Sequence, residues 1–187
     1  MNKLFLIIMF LLFFINGHTQ DKWFSTVELD FIVPNEIEYS YFLEHYTSSH
    51  IESKTSFALQ YAINYKLFDK LSVGALTGIQ QQYGANFFMY KIGTNVKYYF
   101  VDSDNVYTYL QYAGNFTVDK NKFKNGNNLR LGIGFPVMKR NSFNLNLNIF
   151  YDINHFNLSG SKPLMFGNET PKSIFFRSYG ISFGIKF

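Results

Sequence analysis

Residues 173–187 read SIFFRSYGISFGIKF, and the chain stops on Phe187. Phe175, Arg177, Tyr179, Ile181, Phe183, Ile185 and Phe187 share one face of an extended strand, while Phe176, Ser178, Gly180, Ser182, Gly184 and Lys186 share the other. A strand that is apolar on one side and small or polar on the other suits a wall between lipid and a packed polar lumen.

The same alternation recurs upstream. In TSFALQYAINYKL, residues 55–67, Phe57, Leu59, Tyr61, Ile63, Tyr65 and Leu67 oppose Ser56, Ala58, Gln60, Ala62, Asn64 and Lys66. No 3.6-residue period fits that string, which makes it a strand. Further strands are expected over 24–33, 71–83, 87–100, 106–116, 129–137, 143–153 and 173–187, eight in all. Pro136 cannot donate to a ladder and belongs at a strand end or bulge. Turns at 68–70, 102–105 and 138–142 alternate with longer connections at 34–54, 119–127 and 154–172, and the short 84–86 link is the exception. Short periplasmic turns and long extracellular loops are the rhythm of outer-membrane barrels, with both termini on the short-turn side.

Residues 1–20, MNKLFLIIMFLLFFINGHTQ, carry an early Lys3, an apolar run from Leu4 to Ile15, and small or polar residues after it. These are the three regions of a secretory signal peptide, and the run is too short to span a bilayer as a helix. The fold is therefore expected in residues 21–187, with cleavage near Thr19 or Gln20. Cys is absent, which removes lipid acylation at a cysteine, disulfides and thiolate chemistry. The net charge is +4, but the cations are scattered, whereas nucleic-acid binding needs a clustered basic face, so no nucleic-acid partner is expected.

Alternation alone leaves open which face is buried, because a water-soluble barrel or sandwich turns its apolar face inward. The leader, the loop rhythm and Tyr near strand ends favour lipid outside. The terminal Phe187, with Tyr179, Ile181, Phe183 and Ile185 at every second place before it, resembles the C-terminal insertion signal of bacterial outer-membrane proteins. With its repeated alternation, the chain resembles the small eight-stranded outer-membrane β-barrels of Gram-negative bacteria, and the leader ending in Gln is similar to those of Bacteroidetes. The resemblance implies an all-β, antiparallel up-and-down transmembrane barrel in the outer membrane. It also implies a monomer surrounded by lipid and lipopolysaccharide, inserted by the barrel-assembly machinery. A structural or surface-interaction role, in envelope integrity or binding, follows from it. A narrow pore or small-ligand transporter is the alternative.

Inside such a barrel, Glu28, Asp30 and Asp152 are expected to pair with Lys66, Lys91, Lys97, Arg130 and Lys186, since burying unpaired charge is costly. A hairpin turn near 140–141 sets Arg130 opposite Asp152, toward the extracellular end and within reach of water. Tyr107, Tyr109, Phe150 and Gln60 also point inward, and an eight-stranded lumen is just wide enough for side chains to fill, so poor conduction is expected. His45 and His50, five apart in a polar loop, fall short of the three or four converging ligands a metal needs, and neither a metal nor a cofactor is expected. The segment from His155 to Ser159 resembles the lipid A deacylases, in which a Ser follows the His by two places and an acid further on orients it. Here Asn157 holds that Ser position, with Ser159 and Glu169 as the candidate nucleophile and acid, which makes a lipid A-modifying hydrolase a further alternative.

Overall fold

A computed structural model describes residues 22–51, 54–83, 87–102, 105–118 and 123–187; the proposed signal peptide at 1–20 lies outside them. Nine strands follow in order: β1 (Trp23–Phe42), β2 (Tyr46–His50), β3 (Ser56–Phe68), β4 (Leu71–Gln82), β5 (Phe87–Tyr99), β6 (Tyr107–Thr117), β7 (Gly126–Lys139), β8 (Asn144–Asn157) and β9 (Thr170–Lys186). All pairings are antiparallel. From β3 to β9 each strand pairs with the next, and β1 closes the ring by pairing with both β3 and β9. The wall is thus the expected eight-stranded barrel, and β2 is a short ninth strand on the upper part of β1.

The closed ring settles which face is inside. Leu29, Ile92 and Phe183 stand on the outer surface, 55%, 60% and 66% exposed, while Asp30, Arg130 and Asp152 inside have no exposure. An apolar exterior around a charged interior is the reverse of a soluble barrel and fits lipid outside. At the seam the last residue is tied in: Phe187 N–H donates to Ser25 C=O at 3.0 Å, and Ser25 N–H to Phe187 C=O at 2.8 Å.

Strand extends into all three segments expected as long loops, and takes up most of 34–54. Residues 34–54 continue β1 to Phe42 and return as β2; β8 runs on to Asn157 and β9 begins at Thr170; and Gly126 and Asn127 open β7. The first case turns on a bulge. Pro34 pairs with Ser178 and Glu36 with Arg177, so Asn35 is an extra residue. One inserted residue moves every later side chain to the opposite face. Below it the odd-numbered Leu29, Phe31 and Val33 face out; above it the odd-numbered Ile37, Tyr39 and Tyr41 are buried inside. Pro136 also sits at a bulge, since its pair is Asn146 and the next is Met138 with Leu145.

Candidate functional site

The lumen is filled in layers. Its central belt is built on Arg130 of β7, which donates from Nη1 to Asp30 Oδ2 at 2.7 Å and from Nε to Asp152 Oδ1 at 2.8 Å. Asp152 is the neighbour of Arg130 in the ladder, but Asp30 lies on β1, across the interior. Lys91 Nζ approaches Asp152 Oδ2 at 3.9 Å from β5, and Gln60 Nε2 of β3 donates to Asp30 Oδ2. Asn128 and Asn154 supply further amide donors to Asp152. Two cations and two carboxylates therefore balance, and the belt ties five strands across the lumen.

Beneath it the guanidinium of Arg130 stacks on Phe150, 3.8 Å from the ring centre. Aromatic rings here lie on bare backbone: a Cβ at Gly180 would fall 2.2 Å from Phe150 Cζ, and one at Gly132 would fall 2.5 Å from Tyr109 Cζ. Lower still, Lys97 Nζ is 3.5 Å from Glu28 Oε1, and Tyr107 donates its hydroxyl to Asn148 Oδ1 at 2.8 Å.

Above the belt the interior becomes apolar. Ile37, Tyr39 and Tyr41 of β1, Phe87 and Met89 of β5, Phe123, Phe156, Leu158, and Ile174 and Phe176 of β9 form one buried cluster. Phe87 stacks on Phe123 with ring centres 4.1 Å apart, and Phe156 meets Phe87 edge-on at 5.3 Å. This roof is what removes water from the ion belt beneath it.

Segment 158–169 closes over the roof and is held by Glu169. That carboxylate accepts backbone N–H bonds from Leu164 and Met165 at 2.7 Å and Phe166 at 2.9 Å, and the Tyr39 hydroxyl at 3.2 Å. Burial opposes its charge, but the N–H groups of Met165, Glu169 itself, Phe166 and Leu164 outweigh burial and hold the carboxyl at about 2. With the folded value below an unfolded value of about 4.3, the anchoring is complete above roughly pH 5 and lost as pH falls through about 2. At neutral pH, Glu169→Gln is expected to speed amide exchange across 158–169 while β-strand amides stay protected. The local opening free energy should fall by roughly 1–3 kcal/mol.

The structure does not assemble a catalytic group from His155, Ser159 and Glu169. His155 lies on the outer face of β8, its ring stacked on Phe175 with centres 4.3 Å apart. Ser159 N–H is bonded to Asn157 Oδ1 at 2.9 Å, and Glu169 is committed to its own loop. His50 meets Glu36 at 2.8 Å on the rim, where Arg177 also bonds Glu36. Of the expected lumen cations, Lys66 is half-buried at the end of the barrel that holds Trp23 and Phe187 and has no carboxylate partner among the described residues, and Lys186 lies over the Phe24 ring at 4.4 Å. Outward Tyr179, Ile181, Phe183 and Ile185 form the row that leads to Phe187.

No protein-family model matches the chain, and no curated protein matches its sequence. Solved structures do. The solid-state NMR structure of outer membrane protein AlkL in DMPC lipid bilayers superposes with a TM-score of 0.56 at 12% identity, covering 91% of each chain. This is an outer-membrane barrel fold. The crystal structure of outer membrane protein OprG from Pseudomonas aeruginosa agrees, with a TM-score of 0.54 at 16% identity over 89% of this chain and 96% of that one. Identities this low carry the fold alone. The apolar exterior of this chain and the charged belt in its lumen agree with that fold.

Proposed function

We propose that this chain is a sealed outer-membrane barrel whose work is done at its extracellular end, in surface interaction or envelope integrity, and not by conduction. The observation that supports this reading is the fully buried Arg130, bonded on one side to Asp152 and across the lumen to Asp30. Transport through the lumen would have to break that bridge and displace the aromatic roof above it. Reconstituted in planar bilayers, the protein is expected to give no large, stable current steps, and such steps would sink the reading.

Passage of a small apolar solute is the second reading, favoured by the apolar character of the extracellular half of the interior. Faster uptake of an apolar dye by intact cells that express the protein, with bilayers silent, would select it. Unchanged lipid A acyl chains on expression, seen by mass spectrometry, are expected from both readings and exclude the hydrolase.

The protein is proposed to act as a monomer among outer-membrane lipid and lipopolysaccharide. Its route there runs through a leader at 1–20 and recognition of Phe187 and its outward row by the assembly machinery. Removing Phe187 is expected to leave protein in the periplasm, judged by the loss of heat-modifiable migration in membrane fractions. Full insertion of the shortened chain would refute that role.

A further inference from the structure

Strand β2 stands apart from the closed wall, and it has an open edge. At its two ends Leu43 N–H donates to His45 C=O at 3.3 Å, and Ile51 N–H to Ile37 C=O at 3.0 Å. Residues of an antiparallel strand turn their backbone groups alternately toward the partner and away from it. The backbone of His45, Thr47, Ser49 and Ile51 therefore faces β1, and that of Tyr46, Ser48 and His50 faces outward. Among the described residues no strand pairs with this outer edge. Its sequence, YTSSH, has neither the Lys nor the Pro with which free edges are commonly shielded.

An apolar tip adjoins the edge. Phe42 pairs with Tyr46 across the hairpin, and Phe42, Leu43 and Tyr46 are 46%, 44% and 67% exposed. This tip is set off along β1 from the lipid-facing residues of that strand, the last of which is Val33. Between them stand Glu36, Glu38 and Arg177, with Arg177 Nη1 at 2.5 Å from Glu36 Oε2 and 3.3 Å from Glu38 Oε2. A belt of ion pairs separates the two apolar regions, so the bilayer core is not what meets the tip.

A second copy in the same membrane does not fit either. Barrel strands tilt by about 40° from the membrane normal, so two copies related by a twofold axis along that normal would cross their β2 strands at about 80° instead of pairing them. What matches a row of outward N–H and C=O groups is an extended polypeptide from outside the membrane. We infer that the outer edge of β2 is a docking strand for an extended segment of a soluble partner protein, which adds a strand beside Tyr46, Ser48 and His50 and sets an apolar side chain against Phe42 and Tyr46. The inference rests on the surface-interaction reading, which bilayer currents and dye uptake test separately.

The experiment pans a phage-displayed library of linear nonapeptides on the full chain in nanodiscs, with empty nanodiscs as counter-selection. Enriched peptides are expected to alternate β-branched or aromatic residues with polar ones, and, made synthetically, to shift the amide resonances of Tyr46, Ser48 and His50. Ser48→Pro deletes an outward N–H while leaving the β1–β2 ladder its donors, and it should weaken binding roughly tenfold, the equivalent of one or two hydrogen bonds. The same peptides N-methylated at alternate residues should lose binding to the unaltered protein, a control that does not depend on how the variant folds. No enrichment over empty nanodiscs overturns the inference. So does binding that survives N-methylation, which would assign the peptides to the apolar tip alone.

Discussion

Replacing Arg130 by glutamine is expected to lower the stability of the detergent-folded barrel by about 3–5 kcal/mol, the range for removing one partner of a buried ion pair. The substitution leaves Asp30 and Asp152 as facing carboxylates with no exposure and only Lys91, at 3.9 Å from Asp152, to offset them. It also removes the cation from the face of Phe150. Arg130→Lys should recover little of the loss, because an ammonium cannot bond two carboxylates through separate nitrogens of one rigid plane. Asp152→Asn should cost less than Arg130→Gln, since Asp30 still holds the guanidinium, and the double change should cost less than the sum of the two. Fluorescence of Trp23, the single tryptophan, followed through urea unfolding gives these differences. Additive losses would show that the bridge contributes nothing as a pair.

The second large effect is expected at the roof. Phe156 is fully buried, meets Phe87, Phe123 and Phe176 edge-on or nearly so, and covers Gly126, where a Cβ would fall 2.6 Å from its ring. Phe156→Ala should cost about 3–5 kcal/mol, as expected of a truncated core aromatic. It should also admit water to the ion belt, making exchange of the Arg130 and Asp152 amides faster than in the parent. A loss below about 1 kcal/mol, typical of surface positions, would mean that the segment above β8 is a solvated loop after all.

The wall was legible because alternation is a strictly local signal. Residues 55–67 and 143–153 name their own inward and outward faces, and the pairing of Arg130 with Asp152 follows from the hairpin turn alone. What the sequence hid was phase and depth. EIEYSYF, residues 36–42, alternates as cleanly as any strand, but the bulge at Asn35 reverses its faces, and a bulge in a Pro-Asn-Glu stretch resembles the start of a loop. Without the reversal the roof is invisible, and the ion belt is assigned to a water-accessible end. Phe123 was hidden by its neighbours: in DKNKFKNGN a single aromatic among polar residues gives no periodic signal, yet it is fully buried against Phe87. The Arg130 bond to Asp30 joins residues on strands that are not ladder neighbours, and only the closed ring brings them together.

The seam between β1 and β9 has a consequence for how the barrel forms. It is the most extended pairing, running from Thr26 with Lys186 to Phe42 with Thr170, and its partners are the first and last strands of the chain. Every other wall pairing except β1 with β3 joins strands adjacent in sequence, so hairpins can assemble locally while the seam waits for the whole chain and for its loop-closure entropy. Until then two long edges stay open, and the belt lacks Asp30 on one side of the gap. A ribosome that stalls before Thr170 would release a sheet in which β1 and β8 each keep one open edge, an invitation to edge-to-edge aggregation. Closure of the seam is therefore expected to be the slow step, and its rate, read from the protection of the Ser25 and Phe187 amides, should set the overall rate of folding.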